Sequence, residues 1–224
     1  MTIMRSIEEL TENLESGWEA ILEEIALSPN KPEIIPASLV KGKEALVKLQ
    51  MTSRSYLGAV VLNSGGLISN NGLIRIFGSG SSEIPDLSKV NQLTTLDNYP
   101  DMLVIGYDVF GGVFALDGGG LGIEPGTICF LSVDTLEWAG LDLPYSQFLS
   151  WLIDGSRIEG FYDNLLWEGW QDNVKNLPSG YGFHLYPPPS TTAWSQNPEL
   201  RSIKPVPLLE LGALYHGMDV YSVE

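Results

Sequence analysis

Residues 67–131 hold a series of short apolar runs, each closed by a turn signal, with no helical periodicity between them. This pattern limits the fold more than any other feature of the chain. Leu67-Ile68 and Leu73-Ile74-Arg75-Ile76-Phe77 flank Asn70-Asn71-Gly72, and its Asn-Gly pair is the turn signal of a hairpin. Residues 102–107, 112–116 and 126–131 are three further strands. Asp108-Val109-Phe110-Gly111 and the glycine-rich Asp117-Gly118-Gly119-Gly120-Leu121-Gly122 divide them. Close spacing without intervening helices predicts an antiparallel meander rather than βαβ units.

Helical patterns stand on both sides of the meander. Ile7, Leu10, Leu14, Trp18, Ile21, Leu22 and Ile25 recur every three or four residues, which predicts one helix over residues 6–26. Ser6 and Glu9 form a capping box at its start. Its other face carries Glu8, Glu12, Glu15 and Glu19, the residues of an ordinary solvated face. Residues 28–36, with three prolines, read as a connector, and a second helix follows over 42–50. Residues 55–63 fit a buried helix or a strand, with Gly65-Gly66 reading as a helix stop. Helices return over 145–153, 158–166 and 167–177, and residues 181–186 form a last strand. The expected fold is α+β, a meander flanked by N-terminal and C-terminal helices in one domain over residues 1–224. Residues 187–224, rich in proline, are expected to wrap its surface as an extended arm.

Twelve Lys and Arg against twenty-eight Asp and Glu leave a net charge of −16. Such a field repels nucleic acid and anionic membranes and favours basic partners, besides keeping the chain soluble. The one cysteine, Cys129, lies in an apolar run, so it makes no intramolecular disulfide and belongs to no cysteine cluster for zinc. No apolar leader region, membrane-length run or Asn-x-Ser/Thr acceptor is present, and the expected location is the cytoplasm.

Tests for known chemistry return little. Gly42-Lys43 is followed by Glu44, so no phosphate-binding loop is spelled out. Gly78-Ser79-Gly80 lacks the third glycine of a dinucleotide fingerprint. His184 and His216 have no second ligand at metal spacing, and no Gly-x-Ser-x-Gly elbow exists. No metal and no cofactor is therefore expected. Asp117, Asp134 and Glu137 stand beside strand ends and are the candidate carboxylates for a pocket, with Arg75 as a possible basic member. Arg75, inside an apolar strand, is expected on the solvent side of the sheet or paired with an acid. The aromatic run at 161–170 places Trp167 and Trp170 either in the core or, if exposed, as interface anchors.

Several segments together resemble DUF2625, a bacterial family described as a domain of unknown function. They are Ser55-Tyr56-Leu57-Gly58, Gly65-Gly66, residues 72–80, residues 111–119, Asp134-Thr135-Leu136-Glu137-Trp138, Tyr145-Ser146-Gln147-Phe148 and Trp167-Glu168-Gly169-Trp170. The order of helix, Gly65-Gly66, meander and returning helices is also similar, more distantly, to the SUKH superfamily of cell-wall regulators and toxin-immunity proteins. That likeness implies an α+β interaction domain that binds protein partners.

Two functions follow as expectations. In the first, the chain is a protein-binding module without catalytic activity, the toxin-immunity type being the form that the SUKH likeness implies. Its Glu8, Glu12, Glu15 and Glu19 face, with Trp167 and Trp170, would cover a basic partner. In the second, it is a carboxylate-dependent enzyme or small-molecule binder. That reading uses the glycine-rich loops and Arg75, Asp117, Asp134 and Glu137.

Overall fold

The main sheet has seven strands whose spatial order is their order in the chain. They are β1 (Glu33–Pro36), β2 (Ser64–Ser69), β3 (Ile74–Phe77), β4 (Met102–Asp108), β5 (Val113–Asp117), β6 (Ile128–Leu131) and β7 (Trp138–Gly140). The computed structural model describes residues 4–12, 16–93 and 100–223. Every strand pairs antiparallel with the next, as the turn signals require. Residues directly opposite one another share a face. One face therefore carries the row Glu33, Ile68, Arg75, Tyr107, Val113 and Leu131. The other carries Leu67, Ile76, Gly106, Phe114 and Phe130.

The N-terminal helical pattern resolves into two helices, α1 (Ile7–Thr11) and α2 (Gly17–Leu27), not the single one its periodicity predicts. The Ser6–Glu9 capping box closes α1 as expected. Ser16 accepts from the Trp18 amide and starts α2 afresh, while the Gly17 amide donates to the Ser53 carbonyl. A side chain at Gly17 would meet the Arg54 carbonyl oxygen at 2.6 Å, so a bare backbone is needed where the chain restarts. Leu14 and Glu15 lie outside the described residues.

Helices α3 (Leu39–Leu49) and α4 (Tyr56–Asn63) follow. Gly65-Gly66 is not the helix stop it resembles; α4 ends at Asn63 and both glycines belong to β2. A short α5 (Leu87–Val90), capped by Asp86, stands between β3 and β4. Then come α6 (Tyr145–Asp154), α7 (Ile158–Phe161) and α8 (Trp170–Lys175), the last two shorter than their apolar runs. Phe114, Phe130 and Phe148 stack at 4.5 and 5.2 Å where α6 covers the sheet.

The segment after Tyr186 is more ordered than an extended arm. A second sheet pairs β8 (Tyr181–Tyr186) with β9 (Ser202–Pro207), and α9 (Thr192–Gln196) and α10 (Leu208–Tyr215) flank β9. Trp194, Leu208, Leu211, Val220 and Tyr221 all belong to the buried core. Tyr221 packs edge-on to Tyr107 at 5.0 Å, so the C-terminal segment covers the face that carries Arg75. Among the described residues no helix is long and apolar enough to cross a membrane.

Candidate functional site

Arg75 sits in the middle of β3, opposite Ile68 on one side and Tyr107 on the other. It is only 7% exposed, so the expectation of a solvent-facing or acid-paired arginine does not hold. Its guanidinium lies 5.8 Å from the centroid of the Tyr107 ring, and its Nη1 atom has no hydrogen-bond partner. No carboxylate among the described residues pairs with it. Tyr107 meets the guanidinium with its hydroxyl as well as its ring, but a buried cation that lacks a countercharge still costs several kcal/mol, roughly, in a native structure.

The same arginine lines a cleft of about 330 Å³. Asn30, Lys31, Glu33, Asn71, Glu83 and Lys175 supply its polar wall. Three of the chain's twelve basic residues meet here with two of its twenty-eight acids, so the balance of charge is locally reversed. The backbone is strained as well. Lys31 (φ 36°), Asn70 (φ 53°) and Asn71 (φ 60°) hold left-handed conformations, and all three line this cleft. Such conformations persist only where surrounding contacts impose them, and they gather at ligand sites.

Those contacts are on α6. Asn30 Nδ2 donates to Ser69 Oγ at 3.1 Å and to the Leu152 carbonyl at 2.9 Å. Asn70 Nδ2 donates to the same Ser69 oxygen at 2.8 Å, and the Ser69 hydroxyl donates to Leu152 at 2.9 Å. Both turns that form the rim are thus fixed to one helix end.

A larger cleft, about 760 Å³, lies between β7 and α6 and is lined by Leu141, Leu143, Trp151, Asp154, Arg157 and Phe161. Its charged residues are exposed and need no ligand to satisfy them. Among the described residues, no group of three His, Cys, Asp or Glu is placed to hold a metal ion.

The remaining candidates are dispersed. Asp117 is buried, and its carboxylate accepts from the amides of Gly119, Leu121 and Ile123. Burial opposes its ionisation, but the amides outweigh burial and hold its carboxyl below the usual range. That is the anchor of the glycine-rich loop. Asp134 accepts from Ser132 and Asn164, and Glu137 is exposed. Arg75 lines its cleft without Asp117, Asp134 or Glu137, and none of these three lines the larger cleft. Trp170 is buried at 6% exposure, and Trp167 is half-buried and packs against Phe110 and Phe183. Glu8, Glu12 and Glu19 are exposed. His216 accepts from the Met218 amide at Nδ1, which leaves Nε2 to donate to Tyr221, and burial lowers its pKa. Burial by its neighbours raises the pKa of the Cys129 thiol.

One buried acid escaped the sequence reading. Asp108 is fully buried, with Oδ1 accepting from the Phe110 and Gly112 amides at 2.8 Å each. Oδ2 accepts from the Tyr162 hydroxyl at 2.9 Å. Burial raises its pKa to about 6, against the opposing pull of those donors. Its sequence signal, an acid two residues before Phe110-Gly111-Gly112, marks a turn held by its own side chain.

The family model described as "Protein of unknown function DUF2625" matches residues 7–211. The chain belongs to the DUF2625 family. It is 34% identical over 220 residues to "Putative uncharacterized protein YbfG" of Escherichia coli (strain K12), covering 96% of this chain and 97% of that one. It is 35% identical over 188 residues to an "Uncharacterized protein" of Haemophilus influenzae (strain ATCC 51907 / DSM 11121 / KW20 / Rd), covering 82% of each. The DUF2625 match contains the whole Arg75 cleft and Asp108, while Tyr221 lies beyond it.

Proposed function

We propose that this chain is a binding protein whose Arg75 cleft receives the anionic group of a small ligand. The observation that carries this reading is Arg75 itself, a buried cation that lines the cleft and whose Nη1 atom has no hydrogen-bond partner among the described residues. An anion placed there compensates the buried charge with a charge-assisted hydrogen bond. Lys31 and Lys175 at the rim add attraction in a chain whose overall field is negative. The strained rim and its ties to α6 support a preformed site, which avoids ordering the loops on binding. Calorimetric titration of acetate and inorganic phosphate into the full chain and into Arg75→Met tests the reading. Saturable binding that Arg75→Met abolishes, with the variant's melting transition intact, supports it. Equal binding by both proteins overturns it, as does the failure of wild type to bind any carboxylate, amino acids included, or phosphate.

A second reading keeps a protein partner, as the SUKH likeness implies. What favours it is the exposed acidic row of Glu8, Glu12 and Glu19 on α1, α2 and the chain between them. A basic partner would be steered to that row, and reversing the three glutamates to lysine would slow association and flatten its salt dependence. Unchanged association rates would remove the row from consideration.

A further inference from the structure

We infer that the ligand of the Arg75 cleft is a zwitterion of amino-acid size, with its carboxylate on Arg75 and its ammonium between Glu33 and Glu83. This deepens the anion-binding reading above and rests on it.

Glu33 on β1 lies opposite Ile68 on β2, and Ile68 lies opposite Arg75 on β3. Glu33 and Arg75 therefore stand in one row on one face, with a single strand between them. Two strand spacings separate their backbones by roughly 10 Å, and two long side chains converging from that distance bracket a small molecule. Glu83 reaches the same cleft from the loop between β3 and α5.

Charge comes next. A site built for a simple anion has no use for two carboxylates, which repel it. Here the acids stay on the cleft wall, exposed, and neither pairs with Arg75. The lining thus presents separated positive and negative groups, an arrangement complementary to a dipolar ligand. A phosphate or a dicarboxylate gains from Arg75, Lys31 and Lys175 but loses to Glu33 and Glu83. An α-amino acid gains from both sets.

Size and polarity agree. A volume of about 330 Å³ is at the small end of ligand sites. Ile68, Val174 and Leu177 give the cleft an apolar wall, which suits an aliphatic side chain.

The test uses the full chain and calorimetry with the twenty L-amino acids, 4-methylpentanoate (leucine without its ammonium), acetate and phosphate. The expected result is that at least one aliphatic amino acid binds tenfold or more tightly than 4-methylpentanoate and phosphate. In Glu33→Gln/Glu83→Gln that preference falls to within about twofold while 4-methylpentanoate still binds, and Arg75→Met loses both ligands. If 4-methylpentanoate or phosphate binds wild type as tightly as every amino acid, the zwitterion inference is overturned and the anion reading stands. If none of these compounds binds wild type, both are overturned. Preserved preference in the double glutamine variant also overturns the inference, because the ammonium then has another partner.

Discussion

The hydroxyl of Tyr162 donates to Oδ2 of Asp108 at 2.9 Å, joining the loop after α7 to the β4–β5 turn inside the core. Among the described residues no cation neutralises that carboxylate, which is held by amides and one phenol. Tyr162 responds in kind, its pKa pushed well up by burial and by the acid beside it.

Asp108 should make stability pH-dependent. Its folded pKa of about 6 is above the ordinary value of 3.8, so the folded state binds the proton more tightly than the unfolded chain does. The stabilising contribution is full below about pH 4 and is lost as pH rises through about 6. A shift of about two units corresponds to about 3 kcal/mol. Asp108→Asn cannot titrate, so urea unfolding at pH 4.5 and 7.5 should show wild type losing ground to the variant at the higher pH. A stability difference that is the same at both values would show that Asp108 does not titrate in this window.

Two buried tyrosines should respond oppositely to loss of the hydroxyl. Tyr162→Phe strips a donor from a buried carboxylate and should cost about 1–3 kcal/mol at pH 7.5. The Tyr145 hydroxyl is buried with no partner, and burial pushes its pKa up. Tyr145→Phe should therefore be neutral or stabilising by up to about 1 kcal/mol. Denaturant midpoints of the two variants measured side by side decide the matter.

Arg75→Met should raise the melting temperature of the protein without ligand. It replaces an unpaired buried cation with an apolar chain of similar reach, a change that is commonly neutral or stabilising by about 1–4 kcal/mol. A marked fall in stability would mean that the guanidinium has a structural partner, and the functional reading of the cleft would weaken with it.

Gly66→Ala should destabilise by about 1–3 kcal/mol or more, as overpacking does. Gly66 holds φ 152°, and an added Cβ would come within 2.6 Å of the Ile76 carbonyl oxygen and 2.8 Å of Ile84. Thermal unfolding of the variant measures the loss.

Deletion of residues 202–224 should abolish cooperative unfolding. It would remove β9, α10 and Tyr221, and uncover Tyr107, Phe183 and Leu185. A truncated chain that still melted sharply would show the C-terminal segment to be dispensable to the core.

The central strands were readable because their turns carry chemistry: Asn-Gly, Asp-x-Phe-Gly-Gly and the glycine run each admit few backbone paths. β1 was not, since four residues ending in Pro36 resemble a connector, and only pairing with β2 makes them a strand. β9 was concealed by Pro205 and Pro207, which a strand tolerates where the second sheet has an edge. The break between α1 and α2 was invisible to periodicity, because the apolar stripe continues across it. Ser16-Gly17 was the local signal.

The site was half readable for a related reason. Arg75 stood out as a lone charge in an apolar strand, but its burial beside Tyr107, against which Tyr221 packs edge-on, has no local sequence signal. Lys31 with Glu33, Glu83 and Lys175 come from three separate segments and carry no shared motif. Only the sheet register and the turn conformations bring them together. Of the carboxylates beside strand ends, Asp117 serves the glycine-rich loop itself, Asp134 is held by Ser132 and Asn164, and Glu137 is exposed.

Strand order in the main sheet is also the order of synthesis. Each strand, as it leaves the ribosome, meets a growing edge that already holds its partner, and none has to be inserted between two earlier ones. Assembly can proceed by accretion, with modest loop-closure entropy at each step and few opportunities for a misplaced pairing. The cleft draws on residues from Asn30 to Ser179, so it is complete only after the whole main sheet and the helices beyond it have been made.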